Sequence, residues 1–232
     1  MSELLLRDVE RRFRSGAGVG PVSLALHSGE ALGLVGPNGA GKTTLMHSIV
    51  GIERKWTGSI TLDGVPVDGI ALCERSFLAT YPAYPSTLNV REVIDLDLCL
   101  RGIDLSTTEY EAMLNTFGLA DHLDLRIANA STGMAKRVGL ALAFAGMPKL
   151  IVLDEPLDGL DLSASLSLRQ QVRDAVDRGA LVIVSSHILS FLDDVATRVA
   201  FLMGGMVRAD LPIGSGDLEE TYLQLSKGGE PC

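Results

Sequence analysis

Gly36-Pro37-Asn38-Gly39-Ala40-Gly41-Lys42-Thr43 fills every fixed position of the pattern G-x-x-x-x-G-K-[ST]. Ahead of it lies a compact apolar run, Ala31-Leu32-Gly33-Leu34-Val35, which reads as a buried strand. Behind it, Thr43 to Val50 reads as a helix stopped at Gly51. Strand, glycine turn and helix in that order make a cradle for phosphate. Glycines let the backbone curl so that successive N–H groups face one oxyanion, and the helix adds the positive end of its dipole. Gly36, Asn38, Gly39, Ala40 and Gly41 therefore supply backbone donors for a triphosphate, with Thr44 counted among them on the helix. Lys42 places a point charge on the β- and γ-phosphates, and the Thr43 hydroxyl is a ligand for Mg²⁺.

A second element answers the first. Leu150-Ile151-Val152-Leu153 is an apolar strand that ends in Asp154-Glu155. A carboxylate at a strand end is what a magnesium-bound triphosphate needs, so Asp154 is the residue to hold the ion. Glu155 beside it is placed to polarise an attacking water and accept its proton.

Outward from these motifs the chain alternates. Leu4-Leu5-Leu6 opens a short strand, Gly16, Gly18, Gly20 and Pro21 read as a loop, and Val22 to Leu26 alternates as a second strand. Gly58 to Gly64 is a strand with a turn after it. From about residue 86 to 147 a helical period takes over, in Val90–Leu100, Thr108–Phe117 and Met134–Gly146, so a helical lobe interrupts the sheet. Leu162–Asp177 then reads as a helix ended near Gly179, Leu181-Val182-Ile183-Val184 as a buried strand, and Phe191–Val195 and Val199–Met203 as one more helix and strand. Buried strands separated by helices give an α/β sheet expected to carry helices on both faces. Lys227 to Cys232 is small and polar, and is expected to fray.

Composition narrows the function. With 47% hydrophobic residues and a mean hydropathy of +0.27, the chain has material for a sizeable core and is not wholly disordered. Twenty basic against 29 acidic residues, a net of −9, argue against a general nucleic-acid binder. The longest apolar run, Val138 to Met147, is ten residues, too short for a bilayer. No secretory leader is recognised at the start, so the expectation is a chain that stays in the cytosol. Cys73, Cys99 and Cys232 are far apart and odd in number, which favours reduced, structural thiols over disulfides or a zinc site.

The glycine loop, the Leu-Asp-Glu-Pro strand end and the 89-residue gap from Lys42 to Ser131 together resemble the ATP-binding subunit of an ABC (ATP-binding cassette) transporter of the bacterial export type. The resemblance runs from Leu4 to about Gly205. It implies an α/β P-loop NTPase fold of the ABC ATPase type: a mixed-sheet core, an N-terminal antiparallel β region and an inserted α-helical subdomain. Residues 1–225 would form one domain, 1–85 and 148–225 its RecA-like core, 86–147 its helical subdomain, and 226–232 a flexible tail.

The resemblance also assigns roles. Ala130-Ser131-Thr132-Gly133-Met134 stands where the family usually has Leu-Ser-Gly-Gly-Gln, and Ser131 and Gly133 would bind the ATP of a second cassette. Phe13 lies where an aromatic ring stacks on adenine, and Asp161 closes a D-loop, Asp158-Gly159-Leu160-Asp161, that crosses between cassettes. Ser185-Ser186-His187 matches the segment whose histidine contacts the γ-phosphate, which makes His187 catalytic beside Glu155. In Leu78-Ala79-Thr80-Tyr81-Pro82, Thr80 replaces the usual metal-facing Gln; it reaches less far.

The implied activity is hydrolysis of ATP with Mg²⁺, energising transport, in the export direction for a small molecule, drug or peptide. The implied partners are a separate transmembrane permease, met near Thr80 to Arg91, and a second cassette, identical or different. That places the chain in the cytoplasm, peripheral on the inner face of the cell membrane through its permease and without nucleic acid. A soluble ABC-type regulatory ATPase, or a degenerate cassette that binds ATP in a heterodimer, is the alternative reading.

Overall fold

The computed structural model describes residues 2–227. In chain order the strands are β1 (Glu3–Arg12), β2 (Gly18–His27), β3 (Ala31–Val35), β4 (Thr57–Leu62), β5 (Val65–Pro66), β6 (Arg75–Leu78), β7 (Leu150–Leu153), β8 (Leu181–Ser185), β9 (Arg198–Met203) and β10 (Met206–Pro212). The helices are α1 (Lys42–Ile49), α2 (Val90–Arg101), α3 (Thr107–Thr116), α4 (Thr132–Phe144), α5 (Leu162–Asp177), α6 (Leu189–Val195) and α7 (Leu218–Lys227).

Two sheets form. One is antiparallel, in the order β2-β1-β4-β5; the other has six strands in the order β10-β9-β3-β8-β7-β6. In the larger sheet every neighbouring pair is parallel except the edge pair β9–β10. Strands β3, β7 and β8 are buried on both faces, which is why they read as unbroken apolar runs. Successive side chains still part to opposite faces. Leu32, Leu34, Val152 and Ile183 pack with α1 and with the antiparallel sheet. Val35, Leu153, Val184 and Phe201 pack with α2, α4, α5 and α6. The expected helices on both faces are thus one helix plus a sheet on one side, and a helical layer on the other. Arg198 of β9 ties the layers, donating to the Ala25 carbonyl of β2 and pairing with Asp210 of β10.

Several boundaries differ from the sequence reading. The first strand extends to Arg12 because two breaks in its register, between Leu6 and Val9 and between Val9 and Arg11, interrupt the alternation without ending the pairing with β2. Gly18, Gly20 and Pro21, read as loop, belong to β2; Gly16 alone lies in the turn. The segment assigned to a tail from residue 226 is the end of α7 through Lys227, where the Ser226 hydroxyl donates to the Tyr222 carbonyl. That helix is held because Leu218, Tyr222 and Leu225 fall on one face and pack on the core. Residues 228–232, and Cys232 with them, lie outside the described residues. Cys99 is exposed rather than structural, and Cys73 is half-buried.

Candidate active site

The loop between β3 and α1 is shaped by two glycines that no other residue replaces. Gly41 sits at φ 101°, in the left-handed region, at the start of α1. A Cβ on Gly36 would lie 2.2 Å from the Leu202 carbonyl oxygen, so the loop rests directly on β9. Lys42 folds back over this loop, its ammonium donating to the Gly36 carbonyl at 2.6 Å. The N-terminus of α1 opens into a cleft of about 880 Å³ whose walls include Phe13, the loop, Thr80, Asp154, Glu155 and His187. Phe13, 39% exposed, has the Arg11 guanidinium 4.2 Å from its ring centre, which leaves one face of the ring open.

Two carboxylates face the loop from the end of β7. Asp154 is 1% exposed, and both of its oxygens are taken. Thr43 Oγ1 donates to one at 2.7 Å, and Ser185 Oγ donates to the other at 2.6 Å. Ser185 Oγ in turn accepts the Glu155 amide N–H at 2.9 Å. Glu155 occupies the left-handed region at φ 45°, a conformation that holds only where the surroundings impose it. Its carboxylate accepts the His187 amide at 3.3 Å and lies 3.0 Å from His187 Nδ1. The Asp158 carboxylate joins this pair, with one atom from each of Glu155, Asp158 and His187 mutually within 4.8 Å.

Of the residues singled out from the sequence, Phe13, Gly36, Asn38, Gly39, Ala40, Gly41, Lys42, Thr43, Thr44, Thr80, Asp154, Glu155 and His187 border one cleft. Ser131 and Gly133 do not. Both lie at the start of α4: Ser131 borders a separate hollow with Thr80, Asp158 and Gly159 and caps the helix by accepting the Met134 amide, while Gly133 packs against the Gly159 carbonyl. Asp161 caps α5, accepting from the Ala164 amide at 2.9 Å, and pairs with Arg137 at 2.5 Å. Sequence reasoning named Ser185 and Asp158 only as members of their segments, and gave neither them nor Lys136 a role of its own. Ser185 carried a signal, a hydroxyl ending an apolar strand; Lys136 carried one too, a cation that with Arg137 interrupts the otherwise largely apolar α4. The ammonium of Lys136, only 2% exposed, donates to the carbonyls of Thr80 at 2.5 Å, Glu155 at 3.1 Å and Ala79 at 3.4 Å. Burial pulls its pKa below the ordinary lysine value, and Asp158, Asp154 and Glu155 oppose that shift.

The donor chemistry fits Mg²⁺. Thr43 and Asp154 bring two hard oxygens together at the loop, one of them anionic, with neither nitrogen nor sulfur between them.

A family model described as ABC transporter matches residues 19–158. The Nod factor export ATP-binding protein I of Rhizobium etli is 31% identical over 212 residues, covering 88% of this chain and 66% of that protein. The chain thus spans just under two thirds of that relative's length. The lantibiotic transport ATP-binding protein SrtF of Streptococcus pyogenes is 28% identical over 220 residues, covering 94% of this chain and 95% of that protein. A solved structure described as the ATP binding subunit of an ABC transporter superposes with a TM-score of 0.87 at 27% identity, covering 96% of this chain and 99% of that one. With the match extending over more than half of its length and reaching from β2 through both strand-end carboxylates, the chain belongs to the ABC transporter family.

Proposed function

We propose that the chain is the ATP-binding and ATP-hydrolysing subunit of an exporter, driving transport of a small molecule or peptide through a separate transmembrane subunit. The observation that carries this reading is the 2.7 Å hydrogen bond from Thr43 to Asp154, which joins the phosphate loop to the strand-end carboxylates across 111 residues. The printed name of the Rhizobium etli relative, an export protein, supports the direction of transport, and that of the Streptococcus pyogenes relative supports transport itself. Among the described residues no helix is long and apolar enough to cross a membrane, so the membrane passage is assigned to a partner. A groove of about 460 Å³ bordered by Ile52, Leu72, Pro82, Tyr84 and Leu100 is the surface assigned to it. On this reading the chain works at the cytoplasmic face of the membrane.

Mechanistically, Phe13 stacks on the adenine, and the loop amides with Lys42 hold the β- and γ-phosphates. Thr43 and Asp154 would hold Mg²⁺, which when bound would neutralise charge developing on the phosphate oxygens, with Thr80 a shorter-reaching further ligand. The Glu155 carboxylate orients a water and accepts its proton as the water oxygen bonds to the γ-phosphorus. The bond from that phosphorus to the bridging oxygen breaks, and ADP leaves. His187 holds the Glu155 carboxylate through its amide and ring, and on this reading its side chain is the group that contacts the γ-phosphate. Ser131, Gly133 and Asp161 lie outside their own cleft, which supports a second cassette, identical or different, supplying those groups to it.

The test is a pair of substitutions. Glu155→Gln should lower ATP turnover about 10²- to 10⁴-fold while leaving ATP affinity within about twofold of the parent. Lys42→Ala should lose the affinity itself. Parental turnover in Glu155→Gln would remove Glu155 as the base.

A further inference from the structure

Among the described residues, the only buried charged side chains are Asp154 and Lys136. Asp154 has a place in the reaction above; Lys136 has none, and it does not border the nucleotide cleft. Its position is nonetheless specific. Strands β6 and β7 pair in parallel up to Leu78 and Leu153, and the ladder ends with the Asp154 amide donating to the Leu78 carbonyl at 2.9 Å. Past that point the strands part, one toward Thr80 and the other into the left-handed turn at Glu155. The Lys136 ammonium lies where they separate and donates to the Ala79, Thr80 and Glu155 carbonyls, so its three N–H groups meet three acceptors. Every polar group of Glu155 then has a partner: its amide on Ser185, its carboxylate on His187, its carbonyl on Lys136.

We propose that Lys136 is a positioning residue that locks the Glu155 peptide to the 79–80 segment, so that the placement of that segment sets the rate of ATP hydrolysis. The proposal rests on Glu155 acting as the base. Ala79 also borders the groove assigned to the membrane partner, so a shift of the segment on docking reaches Glu155 through one ammonium group. A salt bridge elsewhere would not do this, because it would not touch the Glu155 backbone.

Steady-state ATP hydrolysis and binding of a non-hydrolysable triphosphate analogue, measured on the full chain, test it. Lys136→Met should lower kcat about 10- to 100-fold with KM and analogue affinity within about twofold of the parent. Lys136→Gln, which restores two N–H donors without charge, should recover part of that loss and stand about 3- to 10-fold below the parent. In a Glu155→Gln background, Lys136→Met should lower the residual rate no further, because the two changes act through one group. Parental kcat in Lys136→Gln, an undiminished effect in the Glu155→Gln background, or a kcat loss that travels with loss of analogue binding overturns the proposal. Where circular dichroism shows Lys136→Met to be unfolded, its kinetics are set aside and Lys136→Gln decides alone. Absence of turnover in the parent would instead remove the hydrolytic reading on which the proposal stands.

Discussion

Asp161 does two jobs with one carboxylate, capping α5 through the Ala164 amide and pairing with Arg137 of α4. The Ala164 N–H, and after it the Arg137 guanidinium, hold its carboxyl below the ordinary value of 3.8. A carboxyl depressed on folding contributes stability that is full above the unfolded value. That contribution is lost as the pH falls through the lower, folded value. Asp161→Asn keeps a capping oxygen but removes the charge. Its thermal midpoint should therefore fall less than the parent's as the pH drops from about 5 to about 3, followed by circular dichroism. An equal fall in both proteins would place the acid sensitivity elsewhere. The residue scale is also where the sequence was least complete. Lys42, Thr43, Asp154 and Glu155 were legible because their motifs are contiguous. Ser185 and Lys136 were not, because their partners lie 31 and 19 residues away in sequence and meet them only in the fold.

At the scale of elements, helix ends in the lobe are set by side chains that the sequence displays openly. Asn89 and Glu92 form a reciprocal cap at the start of α2, and Ser106 and Glu109 form another at α3. The α2 cap also joins two segments, since the Val90 and Arg91 amides donate to the Leu125 and Leu123 carbonyls. Asn89→Ala should cost about 1 kcal/mol, a drop of about 2–4 °C in Tm for a chain of this size, with ATP affinity unchanged. An unaltered Tm would mean that α2 is held by its buried face alone. Helices with a strong period and the strands β3, β7 and β8 were legible for the same reason: local pattern and environment agree. Strand β6 was not, having four residues of which two are polar, and neither was β10, an edge strand with little buried surface. Their pairing is dictated by β7 and β9, which lie far away or follow a turn.

Across the whole molecule, the two sheets share one layer of side chains, with Leu32, Leu34, Val152 and Ile183 of the larger sheet against Leu4, Leu6, Leu26 and Ile60 of the smaller. Long apolar strands separated by helices foretold the larger sheet. The antiparallel sheet that covers one face was foreseen through family likeness rather than from periodicity, because bulges in β1 blur the alternation.

That shared layer has a further consequence at the mouth of the cleft. Phe13 follows β1 of the small sheet, whereas the phosphate loop leaves β3 of the large one. A nucleotide held at both ends therefore spans the seam like a rivet and resists any opening that begins by peeling the sheets apart. At a hundred times its dissociation constant such a ligand adds about 2.7 kcal/mol against unfolding, and digestion by a broad-specificity protease should slow roughly a hundredfold when cleavage awaits that opening. Digestion at one speed with and without ATP would mean the seam is not where the chain comes undone. On the proposed reading, resistance of the chain to proteolysis would rise and fall with the nucleotide it holds.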